Sequence, residues 1–600
     1  MTAAAILLGG DTGGTVNITG DAAEIRGNIT GSGAGQHTVN FAPGTGNFHA
    51  YTGTLNAIAN INIQSGEVAL SQVVGAGKIE VSPDAGLLMD SAPESAELAL
   101  NGTFTLTLDD DDTLFAVLTG GGDFTKTGDG TLTLSETSDA YTGTLVLAGG
   151  GLEIDNGAEL GDPASGGGLV VGSGTAAGIS GTLNGGLVFS NAGTSALVQL
   201  RRGEINANAS GEAVIFDSGD GTLKITSHQG NVNGDIVARN ASAGLVQVDL
   251  GSRFGALDEF LFDGNILAEG SATIALDVVS GALHLSGTGS DYAGTTTVRD
   301  GAALYADNAA GSATGVSRVL VENGGVLAGT GKISGDGNNN GILISGIISP
   351  GATEGDVGEL TFNGATRFTN ATLAVDIAPG THDTLVINDT LTLSGTANKV
   401  RVNADAPLGV HDIVTASSIS GYAQDSFEKI TGTASDGYSL TRGSGVVLDE
   451  TITPTLRLVL STDDALELTW TGATDATWIN APTADNWTSA DGHETQYRDG
   501  DSVIFSGTGA GTVEVDGAGV APSAMTFTHG GGSVYFLTGG DIGASSSPAA
   551  LALSGGGDLT LDNGMLYLGR VTVTDGALAF TDNAQVRLHD AAGIELSGGT

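Results

Sequence analysis

The sequence contains no cysteine. Disulfides are therefore excluded, and if the protein is extracellular its stability must come from repetition. Aromatic residues make up only 5% of the chain, so the core is expected to be built from Leu, Val, Ile and Ala. Basic residues are scarce: 20 Lys and Arg stand against 68 Asp and Glu, for a formal charge of -48. Such a field repels phosphate backbones, which argues against nucleic acid as a partner. No run approaches the ~18 apolar residues of a membrane helix. The opening MTAAAILLGGDTGGTVNITG has no basic residue before Arg26 and only a short apolar run, so it does not read as a signal peptide. The ending AAGIELSGGT stops within a strand-like pattern, and the chain reads as a piece of a longer protein. No window of a dozen residues keeps a 3.6-residue period, which predicts almost no helix.

Glycine is abundant instead: 99 residues in 600, more than twice the average usage of about 7%. It shows no triplet period, which excludes collagen. Hydrophobic residues make up 40% and recur in alternating clusters, which excludes disorder. Nearly every segment reads as a strand of three to six residues followed by a turn, as in GTVNITG, GTLKITSHQG, ATIALDVVSG and VTVTDGALAF. Val, Ile and Thr favour strands, and Gly, Asn-Gly and Asp-Gly mark turns. In GDGTLTLSETSDAYTGTLVLAGGGLEI the apolar pairs Leu132/Leu134, Leu145/Leu147 and Leu152/Ile154 fall within just over 20 residues. That spacing is too tight for long antiparallel arms. It predicts a coil with three short faces, each strand pairing in parallel with its counterpart one turn on. One uninterrupted stack of about 25 such coils, spaced about 4.8 Å apart, would be on the order of 120 Å long.

An internal repeat supports the coil. Leu132-Thr-Leu134-Ser135 is followed by Tyr141-Thr-Gly143, and Leu283-His-Leu285-Ser286 by Tyr292-Ala-Gly294, each tyrosine six residues after the serine. A third copy, Tyr51-Thr-Gly53-Thr-Leu55, keeps only the turn and the following strand. These tyrosines read as turn packing against the next coil. The segment GGGDFTKTGDGTLTLSETSDAYTGTLVLAGGGLEI, residues 120–154, resembles the passenger-associated β-strand repeat of bacterial autotransporters. VSRVLVENGGVLAGTGKISG, GIISPGATEGDVGELTFNG and HDTLVINDTLTLSG are similar to what usually follows it. LTWTGATDATWINAPTADNWTSADGHETQYRDGDSVIFSG, residues 468–507, resembles a tryptophan-bearing unit that recurs between such repeats. The clear matches cover about a quarter of the chain. Lys126-Thr127-Gly128 has no counterpart before Leu283, so that copy is divergent.

The resemblance implies an all-β, right-handed parallel β-helix, with a break expected near residue 468. It divides into a less regular segment at 1–110, a main β-helix at 111–460 and a second array at 461–600. It also implies an exported protein at the cell surface or outside the outer membrane, acting as an adhesin or stalk. Its partner would be a host or bacterial surface protein or glycan, and no transmembrane segment lies in this fragment. The alternatives are a β-helical carbohydrate-active enzyme or protease passenger, and a surface-layer or biofilm-matrix protein.

Candidate chemistry is sparse. The nine histidines, His37, His49, His228, His284, His382, His411, His493, His529 and His589, include no pair close enough in sequence to suggest zinc. Two aspartic-protease-like triplets occur, Asp11-Thr12-Gly13 and Asp217-Ser218-Gly219, and two such carboxylates could share a proton across a cleft. In a chain so rich in these residues chance accounts for them. Asp109 to Asp112 end a strand and read as a solvated turn rather than a calcium loop. Trp470, Trp478 and Trp487 read as a packed cap or junction rather than a sugar platform. The expectation is therefore no catalytic, cofactor-binding or metal-binding residue, no cofactor and no enzyme activity.

Overall fold

A computed structural model describes residues 5–20, 23–44, 47–164, 167–190, 196–253, 256–337, 341–353, 355–395, 398–402, 406–423, 426–427, 445–460, 465–480, 486–490, 494–589 and 593–598. Among these there is no helix. The chain is a parallel β-solenoid of about 23 turns. It falls into two compact units, one of Met1–Glu354, Gly358–Ala371 and Ile387–Asp389, the other of Gly355–Val357, Thr372–Val386 and Thr390–Thr600.

The first unit is built by strands that pair in parallel with strands one coil later. Phe104–Leu106 lie beside Phe124–Lys126, and Phe124–Lys126 beside Leu145–Leu147, steps of 20 and 21 residues. A sheet of 14 strands runs from Ile6–Gly9 to Ile266–Ala268. A second, of seven, runs from Thr15–Thr19 to Ala140–Tyr141. A further sheet starts at Asp112–Leu114 and passes through Thr131–Leu134 and Gly151–Ile154.

The three pairs read as three faces occupy only two. Leu152 and Ile154 pair with Leu132 and Leu134, so they repeat the same face one coil later. The remaining face is carried by the two-residue strands Thr137–Ser138 and Ala140–Tyr141. Their inward residues are Ser138 and Tyr141, which apolar alternation does not reveal.

Inward positions hold an aliphatic core. Leu132, Leu134, Leu145 and Leu147 are buried, while Thr133 and Val146 between them are half-exposed. Two phenylalanine pairs meet across one coil step: Phe104 lies tilted against Phe124 at 4.7 Å, and Phe189 stacks on Phe216 at 4.8 Å. Outward positions form polar columns. Asn62 donates to Asn40 at 2.8 Å and Asn40 to Asn17 at 2.7 Å. In a second column Asn233 donates to Asn206 and Asn206 to Asn184, at 2.7 and 2.9 Å, the last of them buried.

The Tyr-x-Gly turn has a steric cause. The Tyr51 hydroxyl donates to the Gly27 carbonyl at 2.5 Å, and that of Tyr141 to the Gly122 carbonyl at 2.8 Å. A Cβ on Gly53 would lie 1.8 Å from that same Gly27 oxygen, and one on Gly143 2.0 Å from the Gly122 oxygen. The tyrosine fixes the preceding coil's carbonyl, and only glycine fits across it. In the divergent copy the Tyr292 hydroxyl turns to Thr296, which bonds Ser317, both at 2.7 Å. Burial pushes the Tyr51 and Tyr292 hydroxyls up to about 12, so both keep their protons to donate.

In the second unit parallel pairing gives way to antiparallel pairing around Leu468. Thr455–Leu460 runs antiparallel to Gly409–Thr415 on one side and to Gly445–Asp449 on the other. Leu468–Trp470 pairs antiparallel with Trp487–Ser489. Parallel stacking is re-established with Glu467–Thr469 beside Ser502–Ile504 and continues to Ile594–Leu596. The three tryptophans fill the core at this junction. Trp470 and Trp487 meet edge to face at 4.9 Å, Trp478 and Trp487 at 5.3 Å, and all three are at most 1% exposed. Fully buried Asn486 ties the turn beneath them, accepting from the Thr474 and Asp475 amides and donating to the Asp475 carboxylate and the Thr477 carbonyl.

Candidate functional site

The two Asp-x-Gly triplets do not meet. Asp11 follows the first strand of the 14-stranded sheet and Asp217 ends the eleventh along its path. At about 4.8 Å per strand that is a separation of roughly 48 Å, far beyond proton sharing. Asp217 instead accepts from the Asn240 amide, and Ser218 adopts the left-handed conformation of a corner, with φ 55°.

The acidic run is likewise a turn. Asp111 accepts from the Thr131 amide at 2.7 Å, one coil on. Asp112 accepts from the Ala92 amide, one coil back, and from Thr113, both at 2.8 Å. Asp109 and Asp110 face solvent. These side chains serve backbone donors that the corner would otherwise leave unmade, so they do not converge on one point.

Lys126 does the converse inside the coil. It is fully buried, and its ammonium donates to the carbonyls of Gly128, Gly130 and Gly149. Burial pulls its pKa below the usual lysine value, opposed by Asp129 and Asp111. The Lys-Thr-Gly element is thus a corner clamp.

Most histidines are occupied by the backbone. His37 bridges the Gly14 amide and the Ser32 carbonyl, and His49 and His529 bond the carbonyls of Gly20 and Asp558. His284 bonds Asp307 at 2.7 Å and stacks on Tyr305, while His228 lies 3.5 Å from Asp258. His589 is exposed, and His493 lies outside the described residues. One pair does come together: the rings of His382 and His411, 29 residues apart, have centroids 5.5 Å apart. Among the described residues no three His, Asp or Glu side chains gather where they could hold a metal ion.

The antiparallel sheet that carries His411 bears an open cleft of about 710 Å³, lined by Val410, Tyr422, Val447, Asp449, Arg457 and Val459. Arg457 bonds Asp412 at 2.7 Å and Asp449 at 2.5 Å across the antiparallel sheet. The hydroxyl and amide of Thr451, with Arg457, hold the Asp449 carboxyl below the usual carboxylate range. A general acid needs the opposite shift. No protein-family model and no curated protein sequence matches this chain. Neither the cleft nor the histidine pair was foreseen from sequence, because their members lie up to about 50 residues apart and no motif marks which strands return beside which. No helix among the described residues is long and apolar enough to cross a membrane.

Proposed function

We propose that the chain is the passenger portion of an autotransporter, a non-enzymatic adhesin or stalk displayed at the cell surface. The observation that carries this reading is the pairing of a buried aliphatic column with outward polar ladders. The asparagine column Asn17–Asn40–Asn62 presents the same shallow chemistry coil after coil, and Asn206 and Asn233 form a second, shorter one beside buried Asn184. Repeated identical surface favours many weak contacts that add avidity over one deep site. Among the described residues, the carboxylates whose pKa departs clearly from the ordinary value, Asp249, Asp449, Asp475 and Asp562, are all held low by hydrogen bonds to partners within the chain. Asp449 and Asp475 cap turns, and Asp249 and Asp562 bond side chains of neighbouring coils.

The test is labelling of intact cells of the encoding organism with antibody to the purified chain. The expected result is surface label that external protease removes. Label that appears only after permeabilisation overturns the proposal. Hydrolysis of polysaccharide, ester or casein by the purified chain would favour the enzyme reading instead.

A further inference from the structure

The His382 and His411 rings share a surface in the second unit. His382 ends the short hairpin Ile377–Ala378/Thr381–His382, and His411 lies on Gly409–Ser420 opposite Leu458. The Nε2 atom of His382 bonds the Asp412 carbonyl and that of His411 the Pro407 carbonyl, both at 3.0 Å. A carbonyl only accepts, so in the neutral ring each Nε2 carries the proton. Each Nδ1 is then left with its lone pair. That is the arrangement metal-ligating histidines adopt: one nitrogen donates to a backbone carbonyl, which fixes the tautomer, and the other faces the ion.

The spacing agrees. With metal–nitrogen bonds of about 2.0 Å and ring centres roughly 1 Å behind each nitrogen, two imidazoles on one ion have centroids about 5 Å apart. The observed separation is 5.5 Å, with the rings at 70°. Both rings are half-exposed, which leaves room for water at the remaining positions. The chain's charge of -48 raises the local concentration of cations.

We propose that His382 and His411 form a two-imidazole chelating site for a late first-row divalent metal ion, of the nickel, copper and zinc class. Imidazole selects these ions over magnesium and calcium, which prefer oxygen. The site joins the 377–382 hairpin to the strand Gly409–Ser420.

The test is calorimetric titration of the full chain with Ni(II), after chelator treatment, in excess Mg(II) to saturate the surface carboxylates. One equivalent of Ni(II) is expected to bind. His382→Ala and His411→Ala should each weaken binding at least about tenfold, and His284→Ala should leave it unchanged. His382→Gln and His411→Gln keep a donor for the backbone carbonyl, and circular dichroism shows whether they fold as the parent does. A parent chain that binds no single equivalent overturns the proposal, as does a folded His382 or His411 variant that binds like the parent.

Discussion

At the scale of single residues, corners rather than faces carry the specific chemistry. Lys126 satisfies three carbonyls that converge inside a coil. Lys126→Met keeps the apolar stem and removes the donors. Leaving buried acceptors unmade should cost about 3 kcal/mol, read as a lower urea midpoint. Alternation makes a second prediction. Leu147 is fully buried and Thr133 half-exposed, so Leu147→Asp should unfold the chain or lower its melting temperature sharply, whereas Thr133→Ser should change stability by no more than about 0.5 kcal/mol. Equal losses at the two positions would contradict the inward and outward assignment. The left-handed Ser218 belongs to the same class of corner. Its neighbour Asp217 is occupied by Asn240, so Asp217→Asn should leave any hydrolase assay unchanged.

At the scale of elements, the coil step was legible because Leu132/Leu134 and Leu145/Leu147 are regular, and their spacing fixed both strand length and parallel pairing. The third face escaped because its strands are two residues long and its inward residues are Ser138 and Tyr141. The antiparallel interruption was legible only as three clustered tryptophans. Their burial follows from that clustering, but the cleft and histidine pair depend on which strand returns beside which, and no local pattern encodes it. Between coils the polar columns add side-chain bonds to the backbone ladder. Asn40 sits at the centre of one, as donor to Asn17 and acceptor from Asn62. Asn40→Ala breaks both, and a loss of about 1 kcal/mol is expected, measured against Asn17→Ala, which breaks one.

At the scale of the whole molecule, charge sets the response to pH. Asp249 is held low by Lys224 and Ser280, Asp475 by Thr477 and Asn486, and Asp562 by Thr581 and Asn583. A carboxyl whose pKa is lower folded than unfolded contributes stability above its unfolded value, near 3.9. That contribution disappears as pH falls through the folded value. The melting temperature should therefore hold from pH 7 to 5 and drop steeply below about 4. A steady decline starting at pH 6 would place the responsible groups elsewhere. The coil step has a further consequence, for time rather than stability. In the first unit's parallel stacks a strand finds its partner about 17 to 30 residues back, as Phe124 finds Phe104 and Leu145 finds Phe124. In 600 residues that is a relative contact order of about 0.04, below even helical bundles, whereas sandwiches and small barrels lie near 0.2. An all-strand chain of this kind closes only short loops, so each coil can form once the next two dozen residues are available, and assembly can proceed from one coil to its neighbour without waiting for the rest of the chain.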